Sequence, residues 1–304
     1  VAVTSLAAYF DDEITAMPNL VTVGAGGTAS TVAGIPFYSA DTSSIYTTDV
    51  SGTDDTASGN SAYGYQALDA ITTGDNNVAI GLSALGANTT GTLNTAVGVS
   101  ALTANTTGAS NTAVGDESLT ANTTASYNTA FGRRTLYANT TGTSNIAVGY
   151  VALKDNTTGD QNVAIGRGAL ANNTTADNNT AVGQDALGIN TTGAGNTAMG
   201  KDSLKANTTA HNNTAYGTLS LQANTTGANN VALGGEAMYL NTTGADNVAI
   251  GRGALDANTT AANNTAVGRN ALGANTTGAS NTAVGMNSML TNTTGASNTA
   301  VGVQ

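Results

Sequence analysis

"NTAVGRNALGANTTGAS", residues 264–280, runs directly into "NTAVGMNSMLTNTTGAS", residues 281–297. With the leading Asn as position 1, that Asn recurs at 60, 77, 94, 111, 128, 145, 162, 179, 196, 213, 230, 247, 264, 281 and 298. Fourteen full copies and a fragment occupy residues 60–304 without one insertion. A period this strict marks a stack of identical structural units rather than a globular core.

The invariant positions define the unit. Position 3 is Ala and position 5 Gly in all fifteen copies, from Ala62 and Gly64 to Ala300 and Gly302. Position 4 is always large and apolar or aromatic, position 2 is Thr, Val, Ile or Ser, and position 9 is Leu except at Met238 and Met289. Positions 13 and 14 are Thr-Thr, preceded by Asn at position 12 in every copy but the first, which has Ile71. Positions 2–4 read as a short strand with 2 and 4 on one face and Ala on the other. The obligatory Gly predicts a positive φ or an approach that forbids Cβ. Position 15 accepts Ala at 125, 176, 210 and 261, so that turn does not demand a positive φ. A second short strand is expected around positions 8–10.

Seventeen residues cannot hold two helices, and Thr-Thr-Gly would interrupt one long helix. The sequence therefore predicts an all-β fold, a parallel β-solenoid (β-roll or β-helix) with one coil per repeat. Asn side chains at positions 1 and 12 are expected to stack into amide ladders. All eight basic residues fall at positions 6, 7 or 10, and acidic ones within the repeats at 6, 7, 10, 11, 16 or 17. Those positions should face solvent and the rest should pack. Only positions 2, 4 and 9 offer sizeable apolar groups, a thin core for a rod. The Ala face is expected to be pressed by further copies, most simply about a threefold axis, giving a homotrimer.

"NVAIG" (77–81, 162–166 and 247–251) and the "NTAVG" segments resemble strands in the head domains of trimeric autotransporter adhesins. Those heads are left-handed parallel β-rolls of three chains, built on a shorter repeat. The longer unit with "ALxANTTG" is similar to repeats in bacteriophage tail fibres and some bacterial surface proteins. In such fibres a C-terminal chaperone domain often follows and is cleaved after trimer assembly. The resemblance covers residues 60–304. It implies a structural and adhesive fibre, the shaft or head of a phage tail fibre or similar virion appendage that projects a host-binding tip. The alternatives are a bacterial cell-surface adhesin head, a head-to-tail extracellular filament subunit and, behind these, an ice-binding solenoid. The implied location is the virion, the cell surface or the extracellular space, and a host surface glycan or protein is the implied partner.

Residues 1–59 form the other division. "SLAAYFDDEITAMPNLVTVG" (5–24) is expected to start as a short helix ending near Pro18, and 34–55 to hold short strands carrying Phe37, Tyr38, Ile45 and Tyr46. The expected role is a cap for the first coil or an attachment to a virion tail or other base.

Composition excludes much else. The charge of −11 disfavours nucleic acid, and no run of 18 apolar residues is present to span a membrane. The start, "VAVTSLAAYFDD", lacks the basic segment of a signal peptide. Zero cysteines exclude disulfides and thiolate metal sites. The one histidine, His211, stands at variable position 16 and reads as a turn residue. Asp54-Asp55 and Asp11-Asp12-Glu13 lack partners for acid–base work, and "GAGG" (24–27) lacks the dinucleotide-binding spacing. Arg133-Arg134 reads as a solvated turn, and Asn-Thr-Thr as a structural repeat that happens to match a glycosylation sequon. No catalytic, cofactor-binding or metal-binding residue is expected, no cofactor is implied, and an enzyme is the least expected class. Receptor-binding residues are not readable from the pattern.

Overall fold

The computed structural model describes Ser30–Val32, Ile35–Phe37, Ile45–Tyr46 and residues 56–303. β1 (Ser30–Val32) and β2 (Ile35–Phe37) form an antiparallel hairpin with Val32 opposite Ile35. β3 (Ile45–Tyr46) opens a separate sheet of sixteen strands that runs in sequence order to β18 (Thr299–Val301). From β4 (Ser61–Tyr63) onward each strand is positions 2–4 of one repeat. β10 (Val163–Ile165) is typical: Ala164 pairs with Ala147 on one side and Ala181 on the other, all parallel. The fold is thus an all-β parallel solenoid with one coil per 17 residues, and the described residues contain no helix.

The sheet starts one strand before the repeat is visible in sequence. Ile45 pairs with Ser61 and Tyr46 with Ala62, an offset of 16 residues rather than 17. Apart from β1–β3 and residues 56–59, residues 1–59, where a helix and a cap or attachment region are expected, lie outside the described residues.

Two expectations are corrected. Positions 8–10 are not a strand. The carbonyl of position 5 accepts from the N–H of position 8 (Ala84 to Gly81, 3.3 Å) and that of position 9 from position 12 (Asn88 to Leu85, 3.1 Å). Consecutive tight turns result, with positions 7 and 9 left-handed in coil after coil, as at Ser83 (φ 56°) and Leu85 (φ 51°). The strand face is also reversed. Ala at position 3 points into the coil and is fully buried from Ala79 to Ala283, while positions 2 and 4 face outward. The core is then Ala at 3, Ala, Ser or Thr at 8 and Leu or Met at 9. Left-handed Leu costs roughly 1–2 kcal/mol per residue. It persists because this conformation aims the one large side chain of each coil inward. No outside chain is needed to press on the Ala.

The remaining interior is polar. In the coil of residues 94–110, the Gly108 carbonyl accepts from Asn94 Nδ2 (2.8 Å) and from Asn105 Nδ2 (2.9 Å). Each Asn also bonds the coil before it: Asn94 N–H donates to Asn77 Oδ1 (2.9 Å) and Asn105 Nδ2 to Asn88 Oδ1 (2.9 Å). The pattern recurs along the rod as two parallel ladders meeting at the position-15 carbonyl. Two rungs are incomplete, with no partner for Nδ2 of Asn179 or Asn264. At Ser118, Thr135, Ser203 and Ser220 the position-8 hydroxyl donates to the position-5 carbonyl, as Ser203 does to Gly200 (2.9 Å), whereas Ser288 donates to the Ala300 carbonyl (3.3 Å).

Fourteen coils at about 4.8 Å each make a rod about 67 Å long. Deleting residues 111–127 removes one coil in register and should shorten the rod by about 4.8 Å while leaving it folded. Deleting 111–119 alone should abolish the cooperative thermal transition, because each later Asn, Ala and Gly meets the wrong neighbour. Electron micrographs with melting curves check both outcomes, and equal tolerance would refute one coil per repeat.

Candidate interaction surfaces

The coil presents three sides to solvent. The first is the outer strand face, where positions 2 and 4 carry no charge in any of fifteen copies. Tyr63, Phe131 and Tyr216 are 55–57% exposed there, beside half-buried valines and threonines. The face is continuous because every strand is in register with the next.

The second side is the Thr-Thr corner. The position-13 hydroxyl is consumed internally, as Thr106 Oγ1 donates to the Thr123 carbonyl (3.1 Å). Position 14 is exposed in every repeat, making a single file of hydroxyls. The preceding Asn is a poor glycan acceptor. From Asn88 to Asn275 it is fully buried, with Nδ2 donating to the position-15 carbonyl as in Asn173 to Ala176 (3.0 Å). His211 sits on the adjoining corner, where its Nδ1 accepts from the Ala194 N–H (2.9 Å). Asp75 does the same for Ser58 N–H (2.8 Å), so the histidine holds a turn together.

The third side, positions 6, 7, 10 and 11, collects most of the charges. Arg133 pairs with Asp116 (3.0 Å), and Arg134 pairs with Glu117 and lies 5.6 Å over the Tyr137 ring. The Glu117 hydrogen bond holds the Arg134 guanidinium above its ordinary pKa. Lys205 bonds Asp202 (2.8 Å) with Asp185 at 3.9 Å, and the Asp202 bond raises the Lys205 pKa. Farther along, Arg252 pairs with Glu236 (3.4 Å). Burial pushes the Asp256 carboxyl up, with a smaller push from Glu236. The arginine pairs are largely exposed, each worth roughly 0–1 kcal/mol, whereas Lys205 pairs with a buried Asp202.

Among the described residues no group of three or more His, Asp or Glu side chains is placed to hold a metal ion, and no helix is long and apolar enough to cross a membrane. Asp54-Asp55, Asp11-Asp12-Glu13 and residues 24–27 lie outside the described residues. Sequence reading missed the outward turn of positions 2 and 4. It also missed the left-handed position 7, although Gly168, Asp185, Asp202, Gly253, Asn270 and Asn287 carry its residue-type signature there. No protein-family model and no curated protein matches the chain.

Two substitutions separate strain from close approach. Val151 is β-branched at φ 52°, so Val151→Asn should stabilise by about 0.5–1 kcal/mol in denaturant melts. Gly183 has φ 133°, and a Cβ there would lie 2.6 Å from the Gly200 carbonyl oxygen of the next coil. Gly183→Ala should therefore cost about 3 kcal/mol or more by the same measurement. A neutral Gly183→Ala would refute the close coil contact.

Proposed function

We propose that this protein is a structural and adhesive fibre whose rods associate through their outer strand faces. The observation that carries this reading is the uncharged, largely apolar band of positions 2 and 4 along the whole rod. A strand face about 10 Å wide and 67 Å long offers roughly 700 Å² per copy, close to the ~800 Å² per partner of a stable interface. Exposed apolar patches of that size mark association surfaces. A second copy is the favoured occupant, because it presents the same band at the same coil spacing. A bundle of three such rods is the simplest closed arrangement that covers each band.

The task suits the architecture. A rod with nearly identical cross-sections supplies length and stiffness, and several rods side by side multiply weak surface contacts into avidity. A virion appendage such as a phage tail fibre, with residues 1–59 toward its base, is the reading the repeat resemblance favours. A bacterial surface adhesin is the runner-up. We read the chain as non-catalytic. Ice binding is weakly supported: Thr at position 2 faces outward, but Tyr63, Phe131 and Tyr216 at position 4 interrupt any flat hydroxyl array.

Sedimentation velocity should show a multimer, most simply three chains. Ile165→Lys and Tyr216→Lys, at exposed positions of the single rod, should release monomers that keep a β-rich circular dichroism spectrum. A wild-type monomer, or a lysine variant that stays multimeric, would overturn the strand-face interface.

A further inference from the structure

The charged side of the rod is a shallow groove between positions 6–7 and 10–11 of successive coils. It deepens to about 310 Å³ at one place, over the coils that begin at Asn145, Asn162, Asn179 and Asn196. That is the lower end of the range for ligand pockets, roughly 300–1,000 Å³. The depth has a sequence cause. Gly168 at position 7 and Ala171 and Gly188 at position 10 remove the side chains that fill the groove elsewhere.

The walls differ in chemistry from the floor. Tyr150 and Ile189 are 48% and 44% exposed and offer apolar flanks. Arg167 and Lys205 supply the cations, with the Asp185 carboxylate 3.9 Å from Lys205. Lys205 is already held by Asp202, whereas among the described residues no carboxylate pairs with Arg167. The same groove near the start of the rod, about 250 Å³, is lined by Gln66, Asp69, Ser83, Gly86, Ala87 and Thr103 and has neither cation nor aromatic ring. The rod therefore carries an internal control for its own site.

We infer that the groove between Tyr150 and Lys205 binds an acidic saccharide, one carboxylated pyranose unit of a glycan. The free Arg167 guanidinium takes the sugar carboxylate, as charge-assisted, bidentate recognition favours. Tyr150 and Ile189 cover the C–H face of the ring. Asp185 accepts from ring hydroxyls, which distinguishes a sugar from a bare anion. The groove is open, so the unit can belong to a longer chain. This names a ligand for the adhesive part of the reading above and rests on that part alone. Rod association is read separately by sedimentation, so failure of one leaves the other standing.

The test is saturation-transfer NMR on the full chain with methyl glucuronide and methyl glucoside as observed probes and inorganic phosphate as a competitor of the glucuronide signal. Glucuronide should bind saturably, with glucoside and phosphate each about tenfold weaker or more. Arg167→Gln and Gly188→Thr should each weaken glucuronide about tenfold, consistent with loss of a charge-assisted bond or of the space. Both replacements occur at the same repeat position in other coils, Gln184 and Thr103, so the fold already tolerates them. Gly86→Thr, in the control groove, should change nothing. Equal binding of glucoside would remove the carboxylate's role, and equal binding of phosphate would remove the sugar. Unchanged glucuronide binding in both groove variants would remove the site.

Discussion

Everything in this rod hangs on one backbone carbonyl per coil, that of position 15, which in all but three coils takes hydrogen bonds from two Asn side chains of its own coil. Each Asn is tied in turn to the coil before it. The result is a polar interior that is satisfied only if every coil repeats the last. A buried amide left without partners costs roughly 1–3 kcal/mol. An inserted residue would unpair several at once, so the 17-residue spacing holds through fourteen copies. The ladders also explain the low charge: with the coil interior filled by amides, Ala and Leu, no place remains for an ion.

The same interior sets the shape of the turns. Once the Asn ladders take two corners, one large apolar side chain per coil must fill the remaining space. Leu at position 9 reaches it only from a left-handed backbone, at φ near 50° in every full coil. Conformational strain is thus repeated along the rod, and hydrophobic burial of a full Leu, roughly 1.5–3 kcal/mol, offsets it. Gly at position 5 answers a different demand, since its φ of 124–140° and the carbonyl of the next coil leave no room for Cβ. Strand, ladder and turn are separate devices that agree on one coil height.

Much of this was legible in the residues. The period, the Asn ladders, the demand for Gly at position 5 and its absence at position 15 follow from residue type alone. The facing of the strand does not. Thr-Ala-Val is compatible with Ala inside or outside, and what decides is the backbone sense at Leu85 and its counterparts, which Leu does not advertise. The extra strand at Ile45–Tyr46 was hidden because its offset is 16 residues and Tyr46 stands in the Ala row. The groove was hidden for a third reason. Gly168, Ala171 and Gly188 are unremarkable singly and become a depression only when neighbouring coils are stacked.

Repetition and recognition pull against each other in such a molecule. A perfectly repeated surface offers the same weak contact everywhere, which suits lateral association of rods but selects no ligand. Selectivity can arise only where the pattern is broken, and buried positions cannot break it without severing a ladder. Information about partners is therefore confined to the outward positions that vary, 2, 4, 6, 7, 10, 11, 16 and 17. The strand face varies in size but never in charge, as a face covered by another apolar surface requires. The groove side varies in charge, size and aromaticity together, as a ligand-facing surface requires. On the proposed reading, assembly belongs to one side of the coil and recognition to another, so each can change without disturbing the other.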